Sequence, residues 1–567
     1  MTGYDLLCRT LEALGVDTVF GLPGSQNIAF FEALRQSQLR TVVPVHELAA
    51  AFMAIGYSRA SGKVGVITTI PGPGLTYAIT GLAEARLDSV PLLCIVQCAA
   101  KAPGKRFQLQ ALDQVALATP VVKRVFRLAD ASTLAATVAA ACACALGGEP
   151  GPVLIEIDHA ALCADTTLPR VWGDIPPFEP APAAADAVSN VLERLLAARK
   201  PILLVGQGGN GGSAAITLLA ERLHCPLLTS TSGRGVLSED HPLAIRSDLC
   251  DVRDINALIA DSDLLLALGI KFSHNGARGF RLTIPQQRLI HVDAAEQVLG
   301  GNYPVALGIC ADVPDFVARL LQQLTTRAAS ASAWTTDEIV GWRARIRAGY
   351  PASIEPRVGG VAPATAAKFC EVLRELLPRE SILVTDSGWH QMLVRRHFPV
   401  FCCRGLMVPT DLQSMGYGLP AAIGAKLAAP DRPVVLVTGD GSLLMSGMAL
   451  LTAVRHRLGI TVIVFNDGHY GLIRIQQVQD YGHGTGVDCD GLDLEAFASA
   501  TGARYGLADT DIGAVLQAAL ACRGATLIEV PIGASATTRR VHLHGLTRAT
   551  ARRVFGRRIM GWLRRQR

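Results

Sequence analysis

Short apolar runs rich in β-branched residues recur along the chain, and each one ends at a loop of glycine, proline or small polar residues. Clear examples cover residues 201–205, 382–385, 434–437 and 460–465. Runs of this length and composition predict strands that are buried on both faces of a parallel sheet. Because helical patterns separate them, we predict an α/β fold of doubly wound parallel sheets.

Three stretches repeat this alternation of strand, loop and helix, and we predict one domain for each. They cover residues 1–165, 187–330 and 360–535. The segment 166–186 between the first two is rich in proline and alanine, as interdomain linkers often are. A chain of 567 residues is also too long for a single hydrophobic core, so several domains are expected.

The composition is that of a globular protein with one unusual end. The chain is 50% hydrophobic and 18% charged, yet no apolar run approaches the roughly 20 residues of a membrane span. The net charge of +5 conceals a basic tail, residues 536–567, because ten arginines and no acidic residue follow Ala534. The N-terminus lacks the pattern of a secretory signal and the 14 cysteines lack metal-ligand spacing, so we expect a protein of the reducing cytoplasm.

Segment 434–471 contains the strongest candidate site. Two of its predicted strands end at the sequences GDGS (439–442) and NDG (466–468). The carboxyl ends of parallel strands meet at one edge of a sheet, where open α/β sheets bind ligands. A carboxylate, an amide oxygen and loop carbonyls are ligands that suit Mg²⁺, which proteins commonly share with phosphates. A single Gly-Asp-Gly is an ordinary turn, but the pair at this spacing predicts a metal and phosphate site.

Glu47 is the candidate acid–base residue. It follows the predicted strand 41–45 and begins a helix of small residues, so we expect its carboxylate to be poorly solvated and able to exchange a proton near neutral pH. The alternative is a glutamate that the dipole favours at a helix N-terminus.

These motifs resemble the signatures of thiamine-diphosphate (ThDP) enzymes of the acetolactate synthase type, with HELAAAFMAIGYSRASG around Glu47 matching the pyrimidine-domain signature. The resemblance runs from about Tyr4 to Val530. It implies a pyrimidine-binding, a central and a diphosphate-binding domain. It also implies a homodimer or homotetramer, in which the cofactor lies between the first domain of one subunit and the third domain of its partner.

The resemblance also implies roles for individual residues. Asp440 and Asn466 would bind Mg²⁺ by their side chains and Gly468 by its carbonyl, while Glu47 would bind the aminopyrimidine ring and drive ylide formation. Gln97 and Gln110 match catalytic pocket positions near the reacting carbon. The other cofactor contacts that it implies are Pro23, Gly24, Gly72, Trp389, His390, Gln413, Met415, Gly439, Gly441, Ser442 and Tyr470, with Met415 as the wedge that bends the cofactor.

Two enzymatic outcomes stay open. By resemblance, a 2-keto acid is decarboxylated and its acyl (enamine) unit passes to an acceptor; the alternative is a lyase or simple decarboxylase acting on a 2-keto acid or a 2-hydroxyacyl-CoA. Pro71, Tyr77 and the absence of a tryptophan from 472–476 indicate an altered acceptor pocket. An inactive regulatory paralogue is the non-enzyme alternative, which the presence of all three of Glu47, Asp440 and Asn466 disfavours.

Residues 271–275 depart from the pattern of the flavin-containing family members, and the basic tail lies beyond the resemblance. Residues 271–275 read KFSHN, where flavin-binding synthases have an Arg-Phe-Asp-Asp-Arg-like stretch, so we expect a structural central domain without FAD. The basic tail has three interpretations: a solvated helix, a lid that clamps an anionic substrate, or an attachment to an acidic partner, a membrane surface or nucleic acid. We find no nucleic-acid-binding module in the rest of the chain.

Overall fold

The computed structural model describes residues 1–99, 104–166, 182–325, 332–349, 357–358, 364–489 and 491–533. These residues form three α/β units, each built on one sheet. The basic tail and most of the predicted linker lie outside the described residues. Within the described ranges, no helix is long and apolar enough to cross a membrane.

The N-terminal unit has a six-stranded parallel sheet of order β2-β1-β3-β4-β6-β5. Its strands are β1 (Thr18–Gly21), β2 (Arg40–Val42), β3 (Gly65–Thr69), β4 (Leu92–Gln97), β5 (Arg124–Leu128) and β6 (Pro152–Ile157). Its helices are α1 (Gly3–Ala13), α2 (Ile28–Gln36), α3 (Glu47–Ser61), α4 (Pro73–Leu87), α5 (Gln114–Ala118), α6 (Leu134–Leu146) and α7 (His159–Cys163). Neighbouring residues of β3 enter different apolar clusters, Val66 on one face and Ile67 on the other. This burial on both faces explains why its strands are continuous apolar runs.

The central unit repeats the plan with a parallel sheet of order β12-β11-β10-β7-β8-β9 and its own apolar core. Its strands are β7 (Pro201–Val205), β8 (Leu227–Thr229), β9 (Ala244–Ile245), β10 (Leu264–Leu268), β11 (Leu289–Asp293) and β12 (Leu307–Cys310). Its helices are α8 (Ala185–Ala197), α9 (Ser213–Leu223), α10 (Val252–Asp261) and α11 (Val313–Thr325), and α12 (Thr336–Ala348) leads out of the unit.

The C-terminal unit has an eight-stranded sheet whose order is β14-β13-β20-β18-β17-β15-β16, with β19 also paired to β20. Its strands are β13 (Arg357–Val358), β14 (Ala364–Thr365), β15 (Ile382–Thr385), β16 (Leu406–Met407), β17 (Val434–Gly439), β18 (Ile460–Asn466), β19 (Arg504–Leu507) and β20 (Thr526–Gly533). Its helices are α13 (Ala366–Leu376), α14 (Trp389–His397), α15 (Gly418–Ala428), α16 (Asp440–Ser446), α17 (Leu450–Arg455), α18 (Gly471–Tyr481), α19 (Leu494–Thr501) and α20 (Ile512–Leu520).

The N-terminal and C-terminal units share one hydrophobic core, which joins the α3 side of the first sheet to the α15 side of the third. At its centre α3 crosses α15 at two glycines. A Cβ atom on Gly56 would overlap the carbonyl of Ala421, and one on Gly424 would overlap the carbonyl of Met53. The missing side chains therefore let the two backbones touch, which fixes the two units against each other.

The predicted fold class, α/β with doubly wound parallel sheets, is confirmed, with three local differences. Strand β2 ends at Val42, three residues before the predicted end. The predicted turn at 439–442 is a direct passage from strand to helix, because Asp440 is already the first residue of α16. The third sheet is mixed rather than purely parallel, since β13 pairs antiparallel with both β14 and β20.

Candidate active site

The carboxyl ends of β17 and β18 lie side by side at one edge of the third sheet, where Gly439 pairs with Phe465. A cavity of about 120 Å³ opens at this edge. The residues that were predicted to hold cofactor or metal and that line it are Trp389, His390, Met415, Gly439, Asp440, Gly441, Ser442 and Tyr470. The fold therefore gathers most of the predicted residues of the C-terminal unit around one space.

Two carboxylates, Asp440 and Asp467, line this cavity. The Asp440 carboxylate accepts the N–H groups of Gly441 and Gly468, each at 2.8 Å. Burial nevertheless raises the pKa of Asp440. Burial, and then the negative charge of Asp440, raises the pKa of Asp467 to about 6. Two facing carboxylates whose charge is poorly compensated are the donor set that a divalent cation would stabilise.

Asn466 and Gly468, the other two predicted metal ligands, have different partners. Asn466 is the last residue of β18 and donates its side-chain amide to Glu529 at 2.8 Å. The carbonyl of Gly468 accepts the N–H of Cys489 at 2.9 Å. Successive side chains of a strand point to opposite sides, so Asn466 turns towards β20 and the following Asp467 turns into the cavity. The cavity therefore has Asp467 rather than Asn466 beside Asp440, and the metal-binding roles predicted for Asn466 and Gly468 stay predictions.

Helix α14 begins at the cavity with Trp389 and His390. Burial lowers the pKa of His390 to about 4, so the imidazole is neutral near pH 7. No residue described in the structure forms a hydrogen bond with its Nε2. A helix N-terminus presents unpaired backbone N–H groups, which bind phosphate well. This wall of the cavity thus fits the diphosphate of a cofactor, with a buried ring nitrogen still available for a further contact.

Gln413 supports the site from outside the cavity wall. Its Oε1 accepts hydrogen bonds from Ser387 at 3.2 Å and Gln391 at 3.1 Å, and its Nε2 donates to the carbonyl of Thr410 at 2.7 Å. Its backbone has a positive φ of 63°, which is uncommon for a residue with a side chain. Gln413 therefore shapes the loop that brings Met415 to the cavity, and the predicted direct contact with cofactor stays a prediction.

Glu47 begins α3 in the N-terminal unit, and the His46 ring nitrogen caps that helix by accepting the N–H of Leu48 at 3.1 Å. One Glu47 oxygen lies 3.3 Å from the point where a Cβ on Gly74 would stand. The carboxylate is only partly buried in the single chain. Glu47 is therefore better solvated than predicted, because the described part of the single chain leaves one side of it exposed.

The glycine loops beside Glu47 converge on one place. Gly72 has a φ of +70°, and a Cβ there would approach the carbonyl oxygen of Gln110 to 2.8 Å. The side chain of Gln110 accepts a hydrogen bond from Gln26 at 2.6 Å, on the loop that carries Pro23 and Gly24. Predicted residues from three loops thus meet near the N-terminal end of α4.

Gln114, which was not predicted, holds this arrangement together. Its side chain accepts the N–H of Gly72 at 3.2 Å and donates to the carbonyl of Gln97 at 3.0 Å. It is buried and lies at the start of α5. A glutamine at the end of a loop has no distinctive sequence signal, which is why only the tertiary structure identifies it.

The side chain of Gln97 faces away from this group, so its catalytic role stays a prediction without support from the geometry of the single chain. It is 4% exposed, and its Oε1 accepts the hydroxyl of Tyr4 on α1 at 3.1 Å. Alternation along β4 explains the orientation, because Leu93 and Ile95 pack in the cluster on the α1 side while residues between them face α3. Gln97 continues the α1 side and so lies across the sheet from Glu47.

One chain therefore carries two separate half-sites. We call the group around Glu47, Gly72 and Gln110 the N-terminal half-site and the cavity at Asp440 and Asp467 the C-terminal half-site. Among the described residues, none from the N-terminal unit lines this cavity. Within the described ranges of the chain, no group of three or more His, Cys, Asp or Glu side chains is arranged to hold a metal ion. The cavity thus offers a pair of hard oxygen donors rather than a histidine and cysteine cage.

Comparison with known protein families gives three matches along the chain. Residues 1–117 match the thiamine pyrophosphate enzyme N-terminal TPP binding domain, residues 188–320 the central domain of that family, and residues 386–530 its C-terminal TPP binding domain. Thiamine pyrophosphate is another name for ThDP. The two half-sites fall within, respectively, the two matched regions that bind this cofactor in the family.

Individual relatives have the same organisation. An acetolactate synthase large subunit of Parasynechococcus marenigrum is 31% identical over 497 residues, covering 85% of this chain and 78% of the relative. Acetolactate synthase isozyme 1 large subunit of Escherichia coli is also 31% identical, covering 85% and 84%. A probable 2-ketoarginine decarboxylase of Pseudomonas aeruginosa is 33% identical, covering 84% and 83%. The chain therefore belongs to the family of ThDP-dependent enzymes and is similar to the large subunits of acetolactate synthases.

Proposed function

We propose that the protein is a ThDP- and Mg²⁺-dependent carboligase that decarboxylates a 2-keto acid and transfers the remaining acyl unit to an acceptor. The observation that carries the proposal is the C-terminal half-site, where the buried carboxylate of Asp440, the partly buried carboxylate of Asp467 and the start of α14 line one cavity. The similarity to acetolactate synthase large subunits supports ligation as the outcome.

The residues present fit both cofactors. Asp440 and Asp467 would hold Mg²⁺, and the N-terminus of α14 with His390 would face the diphosphate. Bound ThDP supplies a carbanion equivalent for attack on the keto acid, and Mg²⁺ neutralises diphosphate charge. Glu47 would bind the pyrimidine ring and exchange a proton with it, while Met415 would press against the cofactor from the cavity wall.

We further propose a homodimer in which Glu47 of one chain meets the C-terminal half-site of the partner. Large apolar side chains are exposed beside both half-sites, as an uncovered interface requires. Tyr77, 53% exposed, packs on the His46 ring next to Glu47, with ring centroids 4.7 Å apart. Met445, 51% exposed, lies against Gly416 beside Met415. These surfaces support closure of each site by the second chain.

Mixing two inactive variants tests the shared site. A dimer of one Glu47→Gln chain and one Asp440→Ala chain has one site with both defects and one with neither. Random reassociation should therefore restore about a quarter of wild-type activity, since about half of the dimers are mixed and each has one intact site of two. If both residues serve a site within their own chain, every mixture stays inactive, and the dimeric site is excluded.

A lyase or simple decarboxylase is the second candidate function. Its support is the 33% identical relative named a probable 2-ketoarginine decarboxylase and the apolar cavity wall, which contains Leu472 and Ile473. The deciding experiment incubates the protein with ThDP, Mg²⁺ and pyruvate and identifies the products by mass spectrometry. Acetolactate supports ligation, acetaldehyde supports simple decarboxylation, and no turnover directs the search to larger keto acids and 2-hydroxyacyl-CoA substrates.

We also propose that the central unit holds no FAD. A cavity of about 450 Å³ lies between the three units, beside the glycine-rich strand ends. Polar groups on its wall already have partners, as the N–H of Gly208 donates to Gly269 at 3.1 Å and Lys271 bonds the carbonyl of Leu87 at 2.6 Å. Ser273 donates to Asp411 at 2.9 Å. Visible absorption after incubation with FAD and desalting would contradict this proposal.

The cytoplasm is the proposed location. None of the 14 cysteines, all of which lie within the described residues, forms a disulfide, and Cys163 and Cys310 are exposed. Proteins of oxidising compartments usually pair such residues, whereas the cytoplasm keeps them reduced.

A further inference from the structure

The loop 408–417 carries Met415 to the C-terminal half-site, and the N-terminal unit holds this loop. Glu84, in the last turn of α4, is 0% exposed. Its Oε2 accepts the N–H of Ser414, directly before Met415, at 3.0 Å. Its Oε1 is buried without a hydrogen-bond partner in the described part of the chain. The hydrogen bonding of the carboxyl group is therefore directed to Ser414 of the loop.

Asp88, which caps α4 one turn later, holds the start of the same loop. Its Oδ1 accepts the N–H of Asp411 at 3.0 Å and both the N–H and the hydroxyl of Thr410. Its Oδ2 accepts the guanidinium of Arg59 on α3 at 2.8 Å. A buried carboxylate with this many donors is firmly placed, and so is the backbone that it binds.

Arg59 extends the clamp to both ends of the loop. It donates to the carbonyl of Val408 at 2.6 Å and to the hydroxyl of Tyr417 at 3.3 Å. Three side chains of the N-terminal unit thus bind the loop on either side of Met415. We call Arg59, Glu84 and Asp88 the loop clamp.

The clamp does more than join two units. The apolar crossing of α3 and α15 already holds them together, whereas the clamp binds backbone groups of one loop. Burial, and then the neighbouring Asp88, raises the pKa of Glu84 to about 8, so that a charged form at this place is unfavourable. An apolar side chain would fill the same space without that penalty, but would leave the N–H of Ser414 unpaired.

We propose that Glu84 and Asp88 are positioning residues that set the place of Met415 against the cofactor. The proposal rests on the proposed function, because the wedge role of Met415 requires bound ThDP. If Met415 were displaced, it would no longer hold the rings of bound ThDP in the arrangement that proton exchange at the thiazolium C2 carbon requires. Diphosphate binding depends on other residues, so C2 proton exchange should suffer while cofactor affinity is retained.

The test compares Glu84→Met, which fills the space without an acceptor, with Glu84→Gln, which keeps an acceptor oxygen at the same distance. With ThDP saturating, Glu84→Met should slow C2 hydrogen–deuterium exchange of the bound cofactor by about tenfold or more, since a misplacement of about 1 Å has costs of this size. ThDP affinity should stay within about threefold, and Glu84→Gln should restore exchange to within about twofold of wild type. Without cofactor, the backbone amides of 410–417 should exchange faster in Glu84→Met only.

Gln207→Ala is the matched control. Gln207 of the central unit donates to the carbonyls of Asp88 at 3.1 Å and Ser89 at 3.0 Å, so it binds the same end of α4 without touching the loop. This variant should lower thermal stability and leave C2 exchange unchanged. If Glu84→Met fails to fold, Asp88→Ala serves instead, because it removes the oxygen that accepts the N–H groups of Thr410 and Asp411; slower C2 exchange is again expected.

Wild-type C2 exchange in Glu84→Met, or in its substitute Asp88→Ala, at saturating ThDP would overturn the positioning role. Equal slowing in Glu84→Met and Glu84→Gln would overturn it too, since the hydrogen bond would then be irrelevant. Failure of the proposed function is recognised separately, because the wild-type protein itself would then not bind ThDP or accelerate C2 exchange.

Discussion

Exchanging the two neighbours Asn466 and Asp467 for alanine, one at a time, distinguishes the predicted metal ligand from the one that the structure indicates. We expect Asp467→Ala to weaken the Mg²⁺ dependence of ThDP binding strongly and Asn466→Ala to leave it nearly unchanged. Asp467 lines the cavity beside Asp440, whereas the side chain of Asn466 binds Glu529.

The size of the effect follows from the charge balance of the site. Burial and the Asp440 carboxylate raise the pKa of Asp467 from 3.8 to about 6. After allowance for partial solvent screening, this rise in pKa means that the metal-free site disfavours the charged form of Asp467 by roughly 2 kcal/mol. A cation between the carboxylates relieves this cost, so removing Asp467 should lower Mg²⁺ affinity by at least about 30-fold.

The assay titrates Mg²⁺ at saturating ThDP and follows retained cofactor between pH 5 and 8. A metal ligand must be deprotonated, so below the Asp467 pKa of about 6 a proton competes with the metal. Apparent Mg²⁺ affinity should therefore be constant above pH 7 and fall by up to about tenfold for each pH unit below 6. Asp467→Asn should show lower affinity but a flatter pH dependence.

Asn466→Ala is the control within the same loop. It should cost about 1 kcal/mol of stability through the lost bond to Glu529 and change Mg²⁺ affinity by less than about twofold. The opposite pattern, with Mg²⁺ binding lost in Asn466→Ala and retained in Asp467→Ala, would refute the reasoning and restore the ligand predicted from sequence.

Three further outcomes are expected. Glu47→Gln should keep nearly normal ThDP affinity but greatly slow C2 proton exchange; unchanged exchange would remove Glu47 from its role. Asp248→Asn breaks a buried ion pair in which Arg395 donates at 2.8 and 3.0 Å, so unfolding free energy should fall by about 3 kcal/mol in thermal or denaturant melts, and a loss within error would contradict this. Because the folded-state pKa of Glu84 is raised to about 8, stability that its protonated form contributes is fully present below about pH 4.5 and lost as pH rises towards 8. Glu84→Gln should remove that decline, which pH-dependent melts would detect.

The sequence predicts the elements of this protein well because strands buried on both faces leave a strong local signal. The runs 201–205 and 382–385 are strands with those bounds in the structure. The direction in which a single side chain points is harder to predict from the sequence. Gln97 and Asn466 both end strands next to the expected sites, and in each case a shift of one residue decides between the two sides of the sheet.

Features that depend on distant pairs could not be predicted from local patterns. Glu84 and Ser414 are 330 residues apart, and nothing around either residue indicates the other. The surroundings of Glu47 are a related case, since the single chain leaves its carboxylate partly exposed. A motif can identify the residue that carries chemistry, but its environment is set by whatever packs on it later.

In the proposed dimer, the join between the N-terminal and C-terminal units would link cofactor binding to dimer formation. The shared core and the loop clamp fix the two half-sites of one chain relative to each other, and among the described residues none from the N-terminal unit lines the cavity of the C-terminal half-site. In a two-fold symmetric dimer, contact of Glu47 with the partner's cavity implies the reciprocal contact, so both sites close together. A ligand that binds only the closed sites must then stabilise the dimer by mass action. We therefore expect ThDP with Mg²⁺ to shift dissociation of the dimer to lower protein concentration in analytical ultracentrifugation, and to do so much less in Asp440→Ala. An unshifted dissociation curve with cofactor bound would mean that each chain binds its cofactor alone.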